Sequence, residues 1–371
     1  MPSFIVRNRH PITILWFVLA AVLLPNALDL PDRLRPSSRL DIGEAAQVDA
    51  VLREAFAGLG GRQAILVIEG VPDITAGRGR EFLARVTDAL TADPLILSVV
   101  SALDWADPLL LGKQGDGTIV MVGVSPDVPI DVVVNTLRAI TRPLAAEIRE
   151  QFGAAQLLWT GDVALDYDSL LAGNQDVREA EARALPVAFA LLLWAFGAVV
   201  AAVCPLLMAV LAIGLAFGAT ALIGLFWAPT ILLQNITSLL GLALGIDYAL
   251  LIVTRFREEL SQDSNPLAAA ERMLRHAGRS VLLSGATVAI GFSALLVVPV
   301  QEPRSIGVGG LLVTLFAVLL ATTLLPALLV WLGPRVNLGR IGRRALPPQM
   351  STSWYRWGLW VTRRPILILL C

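Results

Sequence analysis

The sequence is poor in charge and in the residue types that carry most enzyme chemistry. Only 16% of its 371 residues are charged, and there is one lysine, with two histidines and two cysteines. Lys113 lies outside any P-loop motif, and His10 and His276 are too few for a metal cluster or a His-based triad. Cys204 and Cys371 fall in apolar segments, so no disulfide framework is predicted. We therefore expect a protein that is not an enzyme and holds neither cofactor nor metal.

Long uncharged runs are what the chain has instead. Hydrophobic residues make up 56% of it and the mean hydropathy is +0.71, above the apolar usage of soluble domains. A helix needs about 20 apolar residues to cross the hydrocarbon core. The uncharged run between Arg183 and Asp247 and its short extension accommodate three spans, which we place at 185–203, 205–227 and 231–254. Three further runs, each about long enough for one crossing, lie at 11–28, 280–301 and 305–334. The sequence thus predicts a polytopic α-helical membrane protein with a six-helix transmembrane half-bundle.

The two ends of the chain need interpretation. Basic residues precede the first apolar run, as in a secretory signal, but residues 25–31 offer no small-x-small cleavage site. We therefore assign residues 1–28 to the N-terminus and an uncleaved first span. A seventh span begins at Pro365, and the residues from there to Cys371 are too few to cross a bilayer. Residues 335–371 are expected to be a basic cytoplasmic linker and the truncated start of this seventh helix.

Arginines set the predicted orientation, because basic loops are retained on the cytoplasmic side. Segments 255–279 and 335–364 carry five and seven arginines. We place both, and the N-terminus, on the cytoplasmic side of the membrane. Residues 29–183 carry 24 acidic and 14 basic side chains and are expected on the opposite side. Their net negative charge excludes a nucleic-acid partner.

Residues 29–183 are predicted to fold as an extracytoplasmic α+β domain, because period-2 apolar stretches alternate there with helical patterns. The order is β-α-β-β-α-β, as in ferredoxin-like folds. Gly115, Asp116 and Gly117 are expected to form the hairpin turn between the two middle strands. In chain order, we place these elements at 63–69, 79–90, 95–103, 118–124, 129–152 and 155–160.

Residues 184–334 are assigned to helices two to six, with an amphipathic cytoplasmic segment near 256–277. Asn265 and Pro266 predict an N-cap followed by proline at the first helical position. The apolar face and the arginines of the helix that follows suit a position along the cytoplasmic membrane surface. A connecting helix packed on protein is an equal alternative.

Asp247 is the one acidic residue inside the predicted spans, roughly 12 Å from the cytoplasmic end of the fourth. A carboxylate at that depth is costly, so we expect it to face the protein interior or a water path and to mark proton movement. A structural carboxyl that is hydrogen-bonded across helices is the alternative. The adjacent Tyr248 points about 100° away around the helix, so each side chain needs a partner on another helix. A single carboxylate also excludes an intramembrane aspartyl protease.

Gly241 and Gly245 form a small-x-x-x-small pair on the same helix, and Gly214 and Gly218 form another on the third span. Such pairs permit close contact between helix backbones. They are common by chance in apolar helices, and we predict a packing role for them.

Segment 245–250 (GIDYAL) followed by 254–259 (TRFREE) resembles the fourth-helix signature of the MMPL branch of the resistance-nodulation-division (RND) transporters. The resemblance covers essentially the whole chain. Supporting segments are 160–162 (TGD), 184–186 (ALP), 278–280 (GRS), 284–287 (SGAT) and 291–292 (GF).

In that family two similar halves, each with six helices and an external porter domain, form one transporter, and Asp-Tyr pairs on the two central helices exchange hydrogen bonds. The resemblance implies a proton relay at Asp247 and Tyr248, with Ser284 as a polar residue nearby. It also implies export of a lipid-like or amphiphilic molecule across the bacterial inner membrane, driven by the proton motive force. The partner would be a missing C-terminal half or a separate second half. The alternative is a non-transporting accessory or scaffold of the same architecture, as found in protein export.

Overall fold

The computed structural model describes residues 2–34, 61–105, 107–113, 115–126, 128–227 and 229–340, with a few isolated positions elsewhere. These residues form an apolar helical part and a small α+β domain, each with its own hydrophobic core. The start of a seventh helix predicted at Pro365 lies outside the described residues, as does most of the predicted linker 335–371.

Five stretches of the described chain are long and apolar enough to cross a membrane, and a sixth apolar stretch is shorter. They indicate a multi-pass α-helical membrane protein. The five are Arg9–Ala27, Val199–Ile223, Ile231–Gln262, Pro266–Leu295 and Gln301–Asn337, and the shorter one is Ala182–Phe196.

The first long helix packs on the third predicted span. Helices α1 (Pro2–Arg7), α2 (Arg9–Ala27) and α3 (Leu30–Arg33) open the chain. A side chain added at Gly218 would overlap the backbone carbonyl of Leu23 on α2. The absence of a Cβ at Gly218 therefore lets the two backbones approach closely.

The α+β domain has a four-stranded antiparallel sheet in the order β2-β3-β1-β4. Alternate residues of β1 are buried because successive strand side chains point to opposite faces, and the helices cover one face. The chain order is again β-α-β-β-α-β. The elements are β1 (Arg62–Glu69), α4 (Gly77–Thr91), β2 (Ile96–Val100), β3 (Gly117–Val124), α5 (Ile130–Phe152) and β4 (Gln156–Thr160).

The predicted hairpin turn at Gly115, Asp116 and Gly117 does not join β2 directly to β3. A longer connection intervenes and contains a 3-10 turn at Pro108–Leu110. The turn instead closes a single bridge between Leu111 and Thr118. The prediction missed the connection because its apolar residues extend the strand pattern past the true end of β2.

The second span, predicted at 185–203, ends earlier than the sequence suggests. Helix α6 runs without a break from Asp162 to Phe196, so it begins before the predicted domain border at 183. Gly197 follows with φ of 61°, a left-handed conformation that ends helices and favours glycine. Helix α7 (Val199–Ile223) then begins, so Pro205 lies inside α7 rather than at a join.

Helix α8 (Ile231–Gln262) packs against α7 and against α11 (Gln301–Leu319). After α8 the chain turns into α9 (Pro266–Met273), a short π-helical segment at Leu274–Gly278 and α10 (Arg279–Leu295). The last span continues from α11 through a second π-helical segment at Leu320–Leu324 into α12 (Leu325–Leu332).

The segment predicted near 256–277 is divided between the end of α8 and α9. The Asn265 side-chain oxygen accepts hydrogen bonds from the backbone N–H groups of Leu267 and Ala268, as expected of an N-cap. The apolar face of α9 is buried against α1, α8 and α12, with Met273 fully covered. This is the packing of a connecting helix on protein, the alternative to a helix on the membrane surface.

Candidate functional site

Asp247 lies near the middle of α8, about 24 Å along the axis from Ile231. Its side chain is exposed, and it has no hydrogen bond or ion pair with the described part of the chain. Spacings of three and four residues place it on one face of α8 with other exposed side chains. This exposed stripe of α8 consists of Leu239, Ala243, Asp247, Leu251 and Thr254.

Tyr248 lies on the buried side of α8 and is only 6% exposed. Its hydroxyl is buried and has no hydrogen-bond partner among the described residues. A buried hydroxyl without a hydrogen-bond partner costs about 1–3 kcal/mol. We therefore expect a water molecule or another polar group beside it. Asp247 and Tyr248 therefore both lack, within the described chain, the partners that the sequence predicts for them.

Ser284 is exposed on α10, beside the buried Gly285. It makes no hydrogen bond to Asp247 in the described chain. Leu283 and Leu251, their respective neighbours along α10 and α8, line one surface cavity. Neither Ser284 nor Asp247 lines that cavity.

Gly241 and Gly245 lie where α8 meets its neighbours most closely. An ideal Cβ at Gly245 would be 2.5 Å from the backbone Cα of Ala209 on α7. A Cβ at Gly241 would overlap the side chains of Ile213 on α7 and Val313 on α11. Both positions require glycine because a larger residue would force the helices apart.

Unpaired polar atoms are concentrated along α8. Among the described residues, seven buried side-chain polar atoms lack a hydrogen-bond partner, and six belong to α8 or to its N-cap. Buried polar atoms are rarely left unsatisfied, so this helix is where water or a further polar partner is needed. The six atoms are Thr230 Oγ1, Gln234 Oε1, Asn235 Oδ1, Thr237 Oγ1, Tyr248 Oη and Arg255 Nε.

Most of these groups could not be predicted from the sequence, because Gln, Asn and Thr interrupt an apolar run without altering its net charge. The available signal was the Gln234-Asn235 pair near the start of an otherwise apolar helix.

A buried carboxylate anchors the other end of α8. Glu259 is 4% exposed and pairs with Arg255 (Nη2 to Oε1, 2.7 Å) and with Arg272 of α9 (Nε to Oε2, 2.7 Å). Arg272 also contacts Asp263 at 3.2 Å. We call these four residues the Glu259 cluster. The arginines of the Glu259 cluster contribute to the predicted orientation, but their ion-pair partners were not predicted from the sequence.

The pKa of Asp263 is lowered, first by the hydrogen bond from the backbone N–H of Asn265 and then by Arg272. A lowered folded-state pKa stabilises the protein at pH values above the unfolded-state pKa of aspartate. That contribution is lost as the pH falls through the lowered value. The turn between α8 and α9 is therefore weakened only under acid conditions.

Replacing Glu259 by glutamine should destabilise the protein by about 1–3 kcal/mol, because the buried site loses the charge that holds two arginines. Glu258→Gln is the matched control. Glu258 is half exposed and pairs with Arg255 at 3.0 Å, so its loss should cost about 0–1 kcal/mol. Thermal unfolding of the purified variants in detergent at pH 7 measures both. Equal effects would contradict a structural role for the Glu259 cluster.

Arg257 joins three elements at the same end of the helical part. Its Nε donates to Asn337 Oδ1 at 2.8 Å, and its Nη1 donates to the backbone carbonyl of Phe196 at 3.0 Å. The guanidinium also lies 5.5 Å from the centroid of the Phe196 ring. Arg257 therefore satisfies a carbonyl at the C-terminus of α6, which the helix itself leaves free.

Comparison with known proteins places these features in a family. The profile of the MMPL family matches residues 41–368. A putative membrane protein of Streptomyces coelicolor is 40% identical over 198 residues, which are 53% of this chain and 27% of that protein. The mycolic acid-containing lipids exporter MmpL11 of Mycolicibacterium smegmatis is 32% identical over 219 residues, 58% of this chain and 23% of the exporter.

The trehalose monomycolate exporter MmpL3 of the same species is 35% identical over 164 residues, which are 44% of this chain and 16% of that protein. The chain thus spans about a quarter or less of the length of these relatives. The family profile, in contrast, covers most of the chain, including the α+β domain, α8 and its Asp247-Tyr248 pair. On this match, the chain belongs to the MMPL family of the RND superfamily.

Proposed function

We propose that the protein is a proton-motive-force-driven exporter of lipid-like or amphiphilic molecules, with Asp247 as the proton-carrying group. The observation that carries the proposal is the exposure of an unpaired carboxylate halfway along an apolar helix. An ionisable residue inside a membrane span faces protein or water and marks an ion or proton path. Asp247 alternates between its protonated and ionised forms as protons pass.

The unpaired polar atoms of α8 support this role. Gln234, Asn235 and Thr237 precede Asp247 on the helix, and Tyr248 follows it. Their buried oxygen atoms supply positions at which water molecules or a partner helix form hydrogen bonds. A proton reaches a mid-membrane carboxylate along such a hydrogen-bonded path.

The exposed stripe of α8 is an argument for a partner that covers it. A carboxylate facing hydrocarbon is costly, so a second six-helix half covers Asp247 and completes the relay with Tyr248. Ser284 is placed near the proton path on the family resemblance alone. That half is either a C-terminal continuation or a separate chain.

The proposed orientation in the bacterial inner membrane is based on the positions of the arginines. Six spans, including the short apolar stretch Ala182–Phe196, cross the bilayer with the N-terminus in the cytoplasm. The α+β domain is a ferredoxin-like porter domain on the periplasmic side, and its antiparallel sheet order supports that fold. The substrate class follows from the two relatives named as exporters of mycolic acid-containing lipids and of trehalose monomycolate.

Transport by the full-length protein in proteoliposomes should depend on a pH gradient. A driving force equivalent to 100 mV supplies about 2.3 kcal/mol per proton, enough for roughly 50-fold accumulation of the substrate. A fluorescent acylated trehalose is the probe, and the side of the α+β domain is made acidic. We expect gradient-dependent movement that a protonophore abolishes. A folded protein that moves no probe under any gradient would favour the accessory alternative.

A further inference from the structure

A cavity of about 620 Å³ opens on the protein surface between α8 and α10, beside the π-helical segment Leu274–Gly278. Its volume falls within the roughly 300–1,000 Å³ of small-molecule sites. Neither Asp247 nor Tyr248 lines it. Its lining includes Arg255, Arg275, His276, Arg279, Leu251 and Leu283.

One side of the cavity carries positive charge without compensation. Arg275 and Arg279 are exposed, and neither forms an ion pair with the part of the chain that the structure describes. Arg255 pairs with Glu258 and Glu259, but its Nε is buried and has no hydrogen-bond partner. The cavity therefore presents two guanidinium groups that have no ion-pair partner in the described chain, with Arg255 and its two carboxylate partners beside them.

The π-helical segment positions these groups. Arg275 and His276 lie within it and Arg279 follows directly, so the widened turn forms the charged wall. The His276 Nδ1 lies 3.0 Å from the backbone carbonyl of Arg272, which holds the ring in place. Short π-helical segments inside α-helices occur frequently at functional sites.

The other side of the cavity is apolar. Leu251 is 41% exposed and Leu283 is 61% exposed. Beyond Leu283, α10 continues toward its apolar end with Ile290 also exposed. The cavity thus joins a cationic wall to a surface that hydrocarbon can cover, which suits a molecule with an anionic head and an apolar tail.

We propose that this cavity binds the headgroup of an acidic glycerophospholipid, with its phosphate between Arg275 and Arg279. Arginine binds phosphate oxygens through paired N–H donors. The acyl chains lie along Leu251 and Leu283. Basic cavities between transmembrane helices at the cytoplasmic side hold such headgroups. This lipid is a bound component of the protein and is distinct from the exported molecule.

Native mass spectrometry of the full chain in detergent tests the site, with phosphatidylglycerol and phosphatidylcholine of equal chain length as probes. The wild-type protein should retain phosphatidylglycerol in preference to phosphatidylcholine. At about fivefold per arginine, the Arg275→Gln/Arg279→Gln variant should lose about 25-fold of that preference. Thermal unfolding should be unchanged, because both side chains are exposed and unpaired in the described structure.

Arg7→Gln/Arg335→Gln is the matched control, because it removes the same charge from two other exposed arginines. This variant should keep the preference for phosphatidylglycerol within about threefold of wild type, given the small effect of exposed charges. Equal losses in the two double variants would overturn the site in favour of unspecific surface attraction. Competition by glycerol 3-phosphate at the affinity of the lipid would also overturn it, since the acyl chains would then contribute nothing.

Discussion

Asp247→Asn should abolish gradient-driven export while leaving the protein folded. Asparagine keeps the size and the hydrogen-bonding capacity of aspartate but cannot release a proton, so it separates a proton carrier from a structural group. The roughly 50-fold accumulation expected for the wild type at a 100 mV equivalent should fall to equilibration. The measurement is movement of the fluorescent acylated trehalose in proteoliposomes under an imposed pH gradient.

Asp168→Asn is the matched control for this experiment. Asp168 lies on the N-terminal part of α6 and pairs with Arg138 at 2.7 Å on the exposed surface of the α+β domain. The same chemical change there should leave export intact. Near-normal gradient-driven export by a well-folded Asp247→Asn protein would remove Asp247 from the mechanism and leave it a structural role.

A companion variant, Tyr248→Phe, probes the neighbouring hydroxyl. An interhelical hydrogen bond in a membrane contributes about 0.6 kcal/mol on average, so its loss should reduce export by about threefold. The described chain offers the Tyr248 hydroxyl no partner, so the thermal stability of this chain should not fall. A larger stability loss would show that the hydroxyl is bonded in the intact protein.

Gly245→Ala should have the largest effect on stability among conservative changes in α8. The added Cβ would lie 2.5 Å from the Cα of Ala209, and backbone atoms cannot turn aside as a flexible side chain can. The two helices must separate, with a cost of about 1–3 kcal/mol or more. The drop in unfolding temperature in detergent measures this cost.

Gly291→Ala on α10 is the control for Gly245. Nothing lies within 4 Å of an ideal Cβ at Gly291, which is exposed in the middle of an apolar helix. Alanine there should be neutral or should stabilise the helix by about 1 kcal/mol or less, since it favours helix more than glycine does. If both alanine variants behave alike, close contact of α7 and α8 at Gly245 is not a determinant of stability.

Hydropathy predicted the apolar stretches well because the length of a span is fixed by the thickness of the bilayer. Hydropathy did not predict where the helices end. The helix predicted to continue to residue 203 stops at Phe196, because the left-handed Gly197 ends it inside an uncharged run. Hydropathy does not respond to a backbone conformation of this kind.

The order of the small domain was readable from periodicity, since strands and helices repeat with different periods. Its loops were not. Residues following β2 include Leu103 and Trp105, which continue the apolar pattern, while the backbone has already turned through Ser101 and Asp104. A side-chain hydrogen bond to the backbone decides that turn.

Asp247 is a candidate from the sequence alone because one charge in a long apolar run is a strong signal, and its role stays a prediction. Its orientation could not be read from the sequence, because which face of α8 is covered depends on contacts with α7 and α11 from distant parts of the chain. The cavity lined by arginines could not be predicted from the sequence for the same reason. Arg255 and Arg279 meet only because α8 and α10 are neighbours in space.

Helix α6 has a mechanical consequence. It is 35 residues long, hence about 52 Å, and forms a single strut from the α+β domain to Gly197. Val163 fixes one end in the core of the domain, and the Arg257 contact with the Phe196 carbonyl fixes the other. An α-helix resists stretching along its axis, so α6 fixes the distance between its contact with the core of the α+β domain at Val163 and its contact with Arg257 at Phe196.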